Sequence, residues 1–197
     1  MRDKGLIFDL EDILISYNLD TKAEADLILD FLLQRKYIFQ SDDLEGLTPS
    51  EFIAEFSGWR GKDREILDNE IGKFQRQALF SAQGAPGVSG VLQALSAKYL
   101  IAVISRSRGD GIIKALSNVG IRGYISYIVP GESWLNQRKP GIALDLVMAK
   151  FPDISGENWS YVGLQSHKFW AVDRNVRFLP YGLEAYEDLE DIMEELL

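Results

Sequence analysis

Two kinds of apolar pattern alternate along most of the chain, and a third stretch interrupts them early. Leu6-Ile7-Phe8 is a short continuous apolar run closed by acids at Asp9, Glu11 and Asp12. It predicts a buried strand that delivers a carboxylate to its C-terminal tip, the end at which α/β sheets open a ligand crevice. Residues 16–20 are polar and turn-like. Behind them Thr21-Lys22-Ala23-Glu24 has the form of a capping box, and Leu27, Ile28, Phe31 and Leu32 follow at helical spacing. A helix is expected from there to about residue 39, then a loop over 40–47. Thr48-Pro49-Ser50-Glu51 opens a second helix, with Pro at its first position and Phe52, Ile53 and Phe56 as its apolar stripe. Two glycines around Trp59-Arg60 break the pattern, and 63–80 repeats it through Ile66, Leu67, Ile71, Phe74 and Ala78. Residues 16–82 therefore read as all-helical, without a strand.

From residue 85 the pattern changes. Ala85-Pro86-Gly87-Val88 turns into a helix over 88–97, and Tyr99-Leu100-Ile101-Ala102-Val103-Ile104 is a continuous apolar run. Such a run marks a strand buried on both faces. A loop at 105–109 precedes a helix over 110–118; 124–129 is β-rich; 131–140 is a loop holding Arg138-Lys139-Pro140. A helix at 141–150, a buried strand at 159–164, a helix at 166–174 and a short strand at 176–179 follow. Leu183, Tyr186, Leu189, Ile192 and Leu196 stand at helical spacing in the acidic tail, predicting an amphipathic helix over 183–197. Alternating strands and helices predict an α/β class: a Rossmann-like, mainly parallel sheet with helices on both faces. The all-helical insertion comes directly after the first strand, where a cap or lid would sit. Residues 1–15 and 83–197 are expected to form the α/β core and 16–82 the helical cap.

The 197 residues are 46% hydrophobic and 26% charged, an ordinary globular composition. The chain has no cysteine, which excludes disulfides and thiolate metal sites and fits a reducing, cytoplasmic setting. No apolar run approaches a membrane span, and the first one meets Asp9 too soon to be a signal peptide. The formal net charge is -9, and seven acids lie between Glu184 and Glu195 with no Lys or Arg among them. That field disfavours nucleic acid and anionic membrane as partners. Nothing in the sequence indicates an oligomeric state.

In these residues the chain resembles the haloacid dehalogenase (HAD) superfamily, specifically its members with a helical cap after the first strand, such as phosphoglycolate-phosphatase-like proteins. The strand ending at Asp9, the helical insert, Ala85-Pro86-Gly87-Val88, the run from Ile101 to Ser105, Lys139-Pro140, Tyr161-Val162-Gly163 and the helix around Ala171 carry the resemblance, in the family's order over nearly the whole chain. The resemblance implies a HAD core and Mg²⁺-dependent phosphoryl transfer. Asp9 matches the nucleophile that attacks phosphorus, and Glu11 stands where a second Asp acts as general acid and base. Ser105 matches a phosphate-binding hydroxyl. Lys139 matches the lysine that steadies nucleophile and phosphate.

The chain also departs from the family's motifs. Glu11 is one methylene longer than Asp, and a misplacement of about 1 Å can cost roughly a hundredfold in rate. Asp12 stands for the usual Gly and Ile13 for the usual Thr. The family's acidic turn after the last buried strand, whose carboxylates hold Mg²⁺, is here Gly163-Leu164-Gln165-Ser166-His167-Lys168, with Leu164 and Lys168 at the two acidic places. Mg²⁺ demands octahedral oxygen ligands, so no metal-ligand set is assigned, although the family implies the ion. Lys168 either brings its ammonium near Asp9 and Glu11, a cation where the metal would be, or extends into solvent. His167, the only histidine, lies beside the predicted cleft as an acid–base candidate or as a surface residue at a helix start. Arg106, Arg108, Arg138, Lys139, His167 and Lys168 fall on loops at one end of the sheet, a local positive cluster for a small anionic or phosphorylated ligand. Trp59-Arg60 is expected to pack between cap helices or touch substrate.

The expectation is a HAD-like, hydrolase-fold protein whose phosphatase site is degraded, with little or no activity, acting as an anion-binding or regulatory module. The alternative is an active phosphatase on a small phosphorylated metabolite. A third reading is metal-free hydrolysis of 2-haloacids, which also uses one Asp nucleophile, although Ile13 and Lys168 depart from that subfamily's Thr and acid.

Overall fold

β1 (Gly5–Asp9) is buried along its whole length. In the computed structural model, which describes residues 2–40, 44, 46–134, 141–182, 186 and 188–197, it is the centre of the sheet. The chain continues through β2 (Ile15–Ser16), α1 (Thr21–Gln34), α2 (Pro49–Glu55), α3 (Asp63–Leu79) and β3 (Gln83–Gly84). It then runs α4 (Val88–Lys98), β4 (Leu100–Ile104), α5 (Gly109–Asn118), β5 (Tyr127–Val129), α6 (Ile142–Lys150) and β6 (Trp159–Gly163), ending with α7 (Lys168–Val172), β7 (Arg177–Pro180) and α8 (Leu189–Leu196).

The main sheet has the order β5-β4-β1-β6-β7, and every neighbouring pair is parallel. Phe8 faces Val103 on one side and Val162 on the other. After β5 the chain crosses back over β1 to reach β6, so the strand order reverses there and a crevice opens at the C-terminal tips of β4, β1 and β6. Alternate residues feed two cores. Leu6, Phe8, Val103 and Val162 pack with Leu92 and Leu95 of α4, Leu116 of α5 and Ile192 of α8. Ile7, Ala102, Trp159 and Tyr161 pack with Leu144 and Val147 of α6 and Ala171 of α7. Burial on both faces is why these strands read as continuous apolar runs rather than as alternation. At Gly5 a Cβ would fall 2.2 Å from the Trp159 ring, so the absent side chain makes room for the indole.

The helical insertion carries its own core of Ile28, Leu32, Ile38, Leu44, Ile53 and Leu67. Its two ends are clasped by β2 and β3, which pair antiparallel through Ile15–Gly84 and Ser16–Gln83. This ribbon flanks the helical stretch, touching it only at Ser16, and two residues per strand are too few to leave a period in the sequence. α3 rests on α5. Arg76 pairs with Asp110 at 2.9 Å, and a Cβ on Gly111 would lie 2.8 Å from Leu79 Cδ1.

Other boundaries shift for local reasons. Asp20, not Thr21, caps α1 by accepting from the Ala23 amide at 2.9 Å, and Glu24 instead accepts from Gln75 Nε2 at 2.7 Å. The capping box at Thr48 and Glu51 forms in both directions. In the tail, Tyr186 forms β-bridges with Tyr181 and Gly182, and the helix begins only at Leu189, capped by Asp188. Gly182 has a φ of 114°, and α8 covers only 189–196 of the expected 183–197. Leu183, Arg138 and Lys139 lie outside the described residues. No described helix is long and apolar enough to cross a membrane.

Leu32 is fully buried in the insertion's own core. Leu32→Ala is expected to destabilise the protein by about 2–5 kcal/mol, read as a lower urea midpoint.

Candidate functional site

Asp9 ends β1 in the crevice with only 8% of its surface exposed. Two side chains from the β6 end hold its carboxylate. The Tyr161 hydroxyl donates to Oδ1 at 2.8 Å, and His167 Nδ1 lies 2.8 Å from Oδ2 and 3.1 Å from the same phenol. A carboxylate oxygen only accepts, which puts the imidazole proton of this contact on Nδ1. Burial, then the charge of Asp9 and the hydrogen bond to it, push the Tyr161 phenol far above its ordinary pKa, so it stays a donor. Gly163 makes the reach possible, because a Cβ there would sit 2.6 Å from Tyr161 Cζ. The His167 ring stacks on Trp170 at 3.9 Å and 10°. Trp134 meets Trp170 at 6.0 Å and donates from Nε1 to the Ser105 carbonyl at 3.0 Å.

Glu11, 7% exposed, turns the other way, into the loop after β4. Its Oε1 accepts from Ser105 Oγ at 2.5 Å and from the Ser107 amide at 3.3 Å, and its Oε2 accepts from the Arg106 amide at 3.2 Å. The Ser107 amide also reaches Ser105 Oγ at 2.9 Å. A hydroxyl and two successive N–H groups form an oxyanion cradle, and a carboxylate of the chain itself fills it. Tyr17 closes the back, with its hydroxyl 2.9 Å from Ser107 Oγ; burial and the charge of Glu11 push its pKa up to about 12. Ile13 is buried in the main core, which accounts for an apolar residue there. Asp12 adopts a φ of 67°, and its exposed carboxylate lies 3.7 Å from Arg106. An exposed pair of that kind contributes little.

Asp9, Glu11, Ser105, Arg106 and His167 thus come together with Ile104, Trp134, Leu164 and Trp170 around one cleft. Lys168 does not. It is exposed and forms no ion pair with either carboxylate. Successive residues of a helix point about 100° apart, so with His167 turned inward the next side chain faces out. The group beside Asp9 is an imidazole, not an ammonium. Arg108 also leaves the cleft: it donates to the Asp68 carbonyl at 3.3 Å and packs over Gly72 of α3. Trp59 stays inside the insertion, against Tyr37 and Phe56. Lys139 lies outside the described residues, so its expected role acquires no geometry. Sequence reasoning missed Tyr161, Trp134, Trp170 and Tyr17. Only Tyr161 carries a signal, a polar-tipped residue two before a glycine at a strand end, and it becomes readable once Asp9 is known to share its face.

The free volume of the cleft is about 20 Å³, room for about one water. The residues present do not fit Mg²⁺. Both Asp9 oxygens are engaged by donors, Glu11 is turned into the cradle, Leu164 has no ligand atom in its side chain, and the described residues hold no group of three or more metal-ligating side chains.

No family model and no curated protein matches the sequence. Solved structures match it from end to end. A protein described as a predicted phosphoglycolate phosphatase from Haemophilus somnus aligns with a TM-score of 0.67 and 15% identity, over 100% of this chain and 99% of its own. The provisional HAD-hydrolase YfnB from Bacillus subtilis, bound to magnesium, aligns with a TM-score of 0.62 and 17% identity over 100% and 99%. A HAD-superfamily hydrolase of subfamily IA from Geobacter sulfurreducens aligns with a TM-score of 0.61 and 20% identity over 98% and 96%. The chain has the fold of the HAD-superfamily hydrolases, a mainly parallel α/β sheet surrounded by helices.

The raised phenol pKa makes a prediction with a definite sign. Folding favours the protonated Tyr161, so its contribution is complete below the unfolded value of about 10 and falls as pH rises above it. In Tyr161→Phe the loss of stability above about pH 10 is expected to be shallower than in the wild type. The same variant is expected to lose about 1–3 kcal/mol at neutral pH, because Asp9 keeps one donor fewer. Urea unfolding across the pH range measures both.

Proposed function

We propose that this chain is a HAD-fold protein that has given up Mg²⁺-dependent phosphatase turnover and acts in the cytoplasm as a binding or regulatory module for a small anionic or phosphorylated ligand, with residues 16–82 as its cap. The observation that carries the reading is the position of Glu11. Its carboxylate lies in the oxyanion cradle of Ser105, Arg106 and Ser107, where a phosphoryl group would need those donors, and it is not left free to pass a proton to a leaving group. The second support is Asp9. A phenol and an imidazole N–H satisfy its charge, but neither supplies the divalent cation that would offset the charge of an incoming phosphate. Arg106 lines the cleft and gives it one cation for an anionic ligand.

The test is hydrolysis of a generic phosphomonoester with and without Mg²⁺, beside Asp9→Asn. The wild type is expected to show no Mg²⁺-dependent turnover above that variant. Robust Mg²⁺-dependent turnover lost in Asp9→Asn would overturn the reading, and halide release from a 2-haloacid would replace it with metal-free displacement at Asp9.

A further inference from the structure

Glu11 is bound as a ligand would be. One hydroxyl and two backbone N–H groups converge on its two oxygens, and hydrogen bonds to an ionised acceptor are the strong ones. The turn that carries it is tightly built. Leu14 and Ile15 donate to the Leu10 carbonyl at 3.1 Å, and Asp12 donates to the Ile15 carbonyl at 3.0 Å while holding its φ of 67°. Non-glycine residues adopt that left-handed backbone only at a cost. Ile15 then begins β2, whose pairing with β3 clasps the helical insertion. Glu11, the turn and the base of the insertion are therefore consecutive pieces of chain.

We propose that Glu11 is a built-in competitor: an intramolecular oxyanion that occupies the cradle and that phosphate, or the phosphate group of a monoester, must displace in order to bind. The proposal deepens the binding role argued above and rests on it. A ligand that binds only the open cradle has its affinity lowered by the fraction of molecules in which the cradle is open. Removing Glu11 removes that handicap.

The experiment is a calorimetric titration with inorganic phosphate in a chelator, so that no metal takes part. Glu11→Ala is expected to bind phosphate about tenfold or more tightly than the wild type. The double variant Glu11→Ala, Ser105→Ala is expected to lose most of that gain. Asp12→Asn removes a nearby negative charge, leaves the cradle filled and suits the left-handed backbone; its exposed charge is screened, so its affinity is expected to stay within about threefold of the wild type. No gain in Glu11→Ala, or an equal gain in Asp12→Asn, overturns the proposal. Should Glu11→Ala fail to fold, Glu11→Gln answers the same titration, with about threefold tighter binding expected and no gain as the overturning result. Mg²⁺-dependent turnover by the wild type would instead sink the functional reading, and the metal-free titration separates the two failures.

Discussion

A carboxylate withdrawn from water must find donors, and Glu11 finds them in the turn after β4. Much of the site follows from that one interaction. The cradle is satisfied without a ligand, the cleft keeps space for little more than one water, and Tyr17 stays protonated beside a fixed negative charge. The backbone conforms as well. Asp12 takes a left-handed conformation so that the chain can turn Glu11 toward Ser105 and still enter β2 at Ile15. Glutamate's extra methylene gives it a longer reach than aspartate, a defect for proton transfer to a leaving group that suits it to this contact.

Asp9 faces the matching problem on the other side of β1 and solves it with a phenol and an imidazole. The phenol of Tyr161 and the imidazole of His167 each satisfy one oxygen, and the indoles of Trp170 and Trp134 hold the imidazole and the cradle loop in place. These partners orient a carboxylate and satisfy its lone pairs. They do not gather oxygen ligands around a divalent ion. The two acids of the motif, Asp9 and Glu11, are thus pointed apart, each closed by its own donors. A fold shared with hydrolases need not carry their chemistry, because function resides in the site.

The fold was legible because its signals are redundant. β1 and β4 are continuous apolar runs, α2 announces itself with a reciprocal capping box, and the helical insertion interrupts a regular alternation. That Asp9, Ser105 and the turn after Gly163 meet at one cleft was legible for the same reason: they follow strand ends, and parallel strands bring those ends together. The geometry inside the site was not. Whether His167 or Lys168 faces Asp9 depends on a rotation of one residue within a short turn, which no periodicity over so few positions reveals. The partner of Glu11 lies 94 residues away, at Ser105. Tyr161 belongs to a run of apolar strand residues, and only the pairing of β6 with β1 turns its hydroxyl from a core feature into a hydrogen bond on Asp9. The two-residue ribbon of β2 and β3 was invisible for want of length.

The central claim is that Asp9 and Glu11 are each closed by the protein's own donors and do not gather a metal. The most direct measurement is a Mg²⁺ titration of isotope-labelled protein, followed through the backbone amide signals of Asp9, Glu11, Ser105 and Gly163. Carboxylates already held by Tyr161, His167 and the Ser105 loop predict no saturable shift at these amides, and saturable shifts converging on Asp9 would contradict the claim.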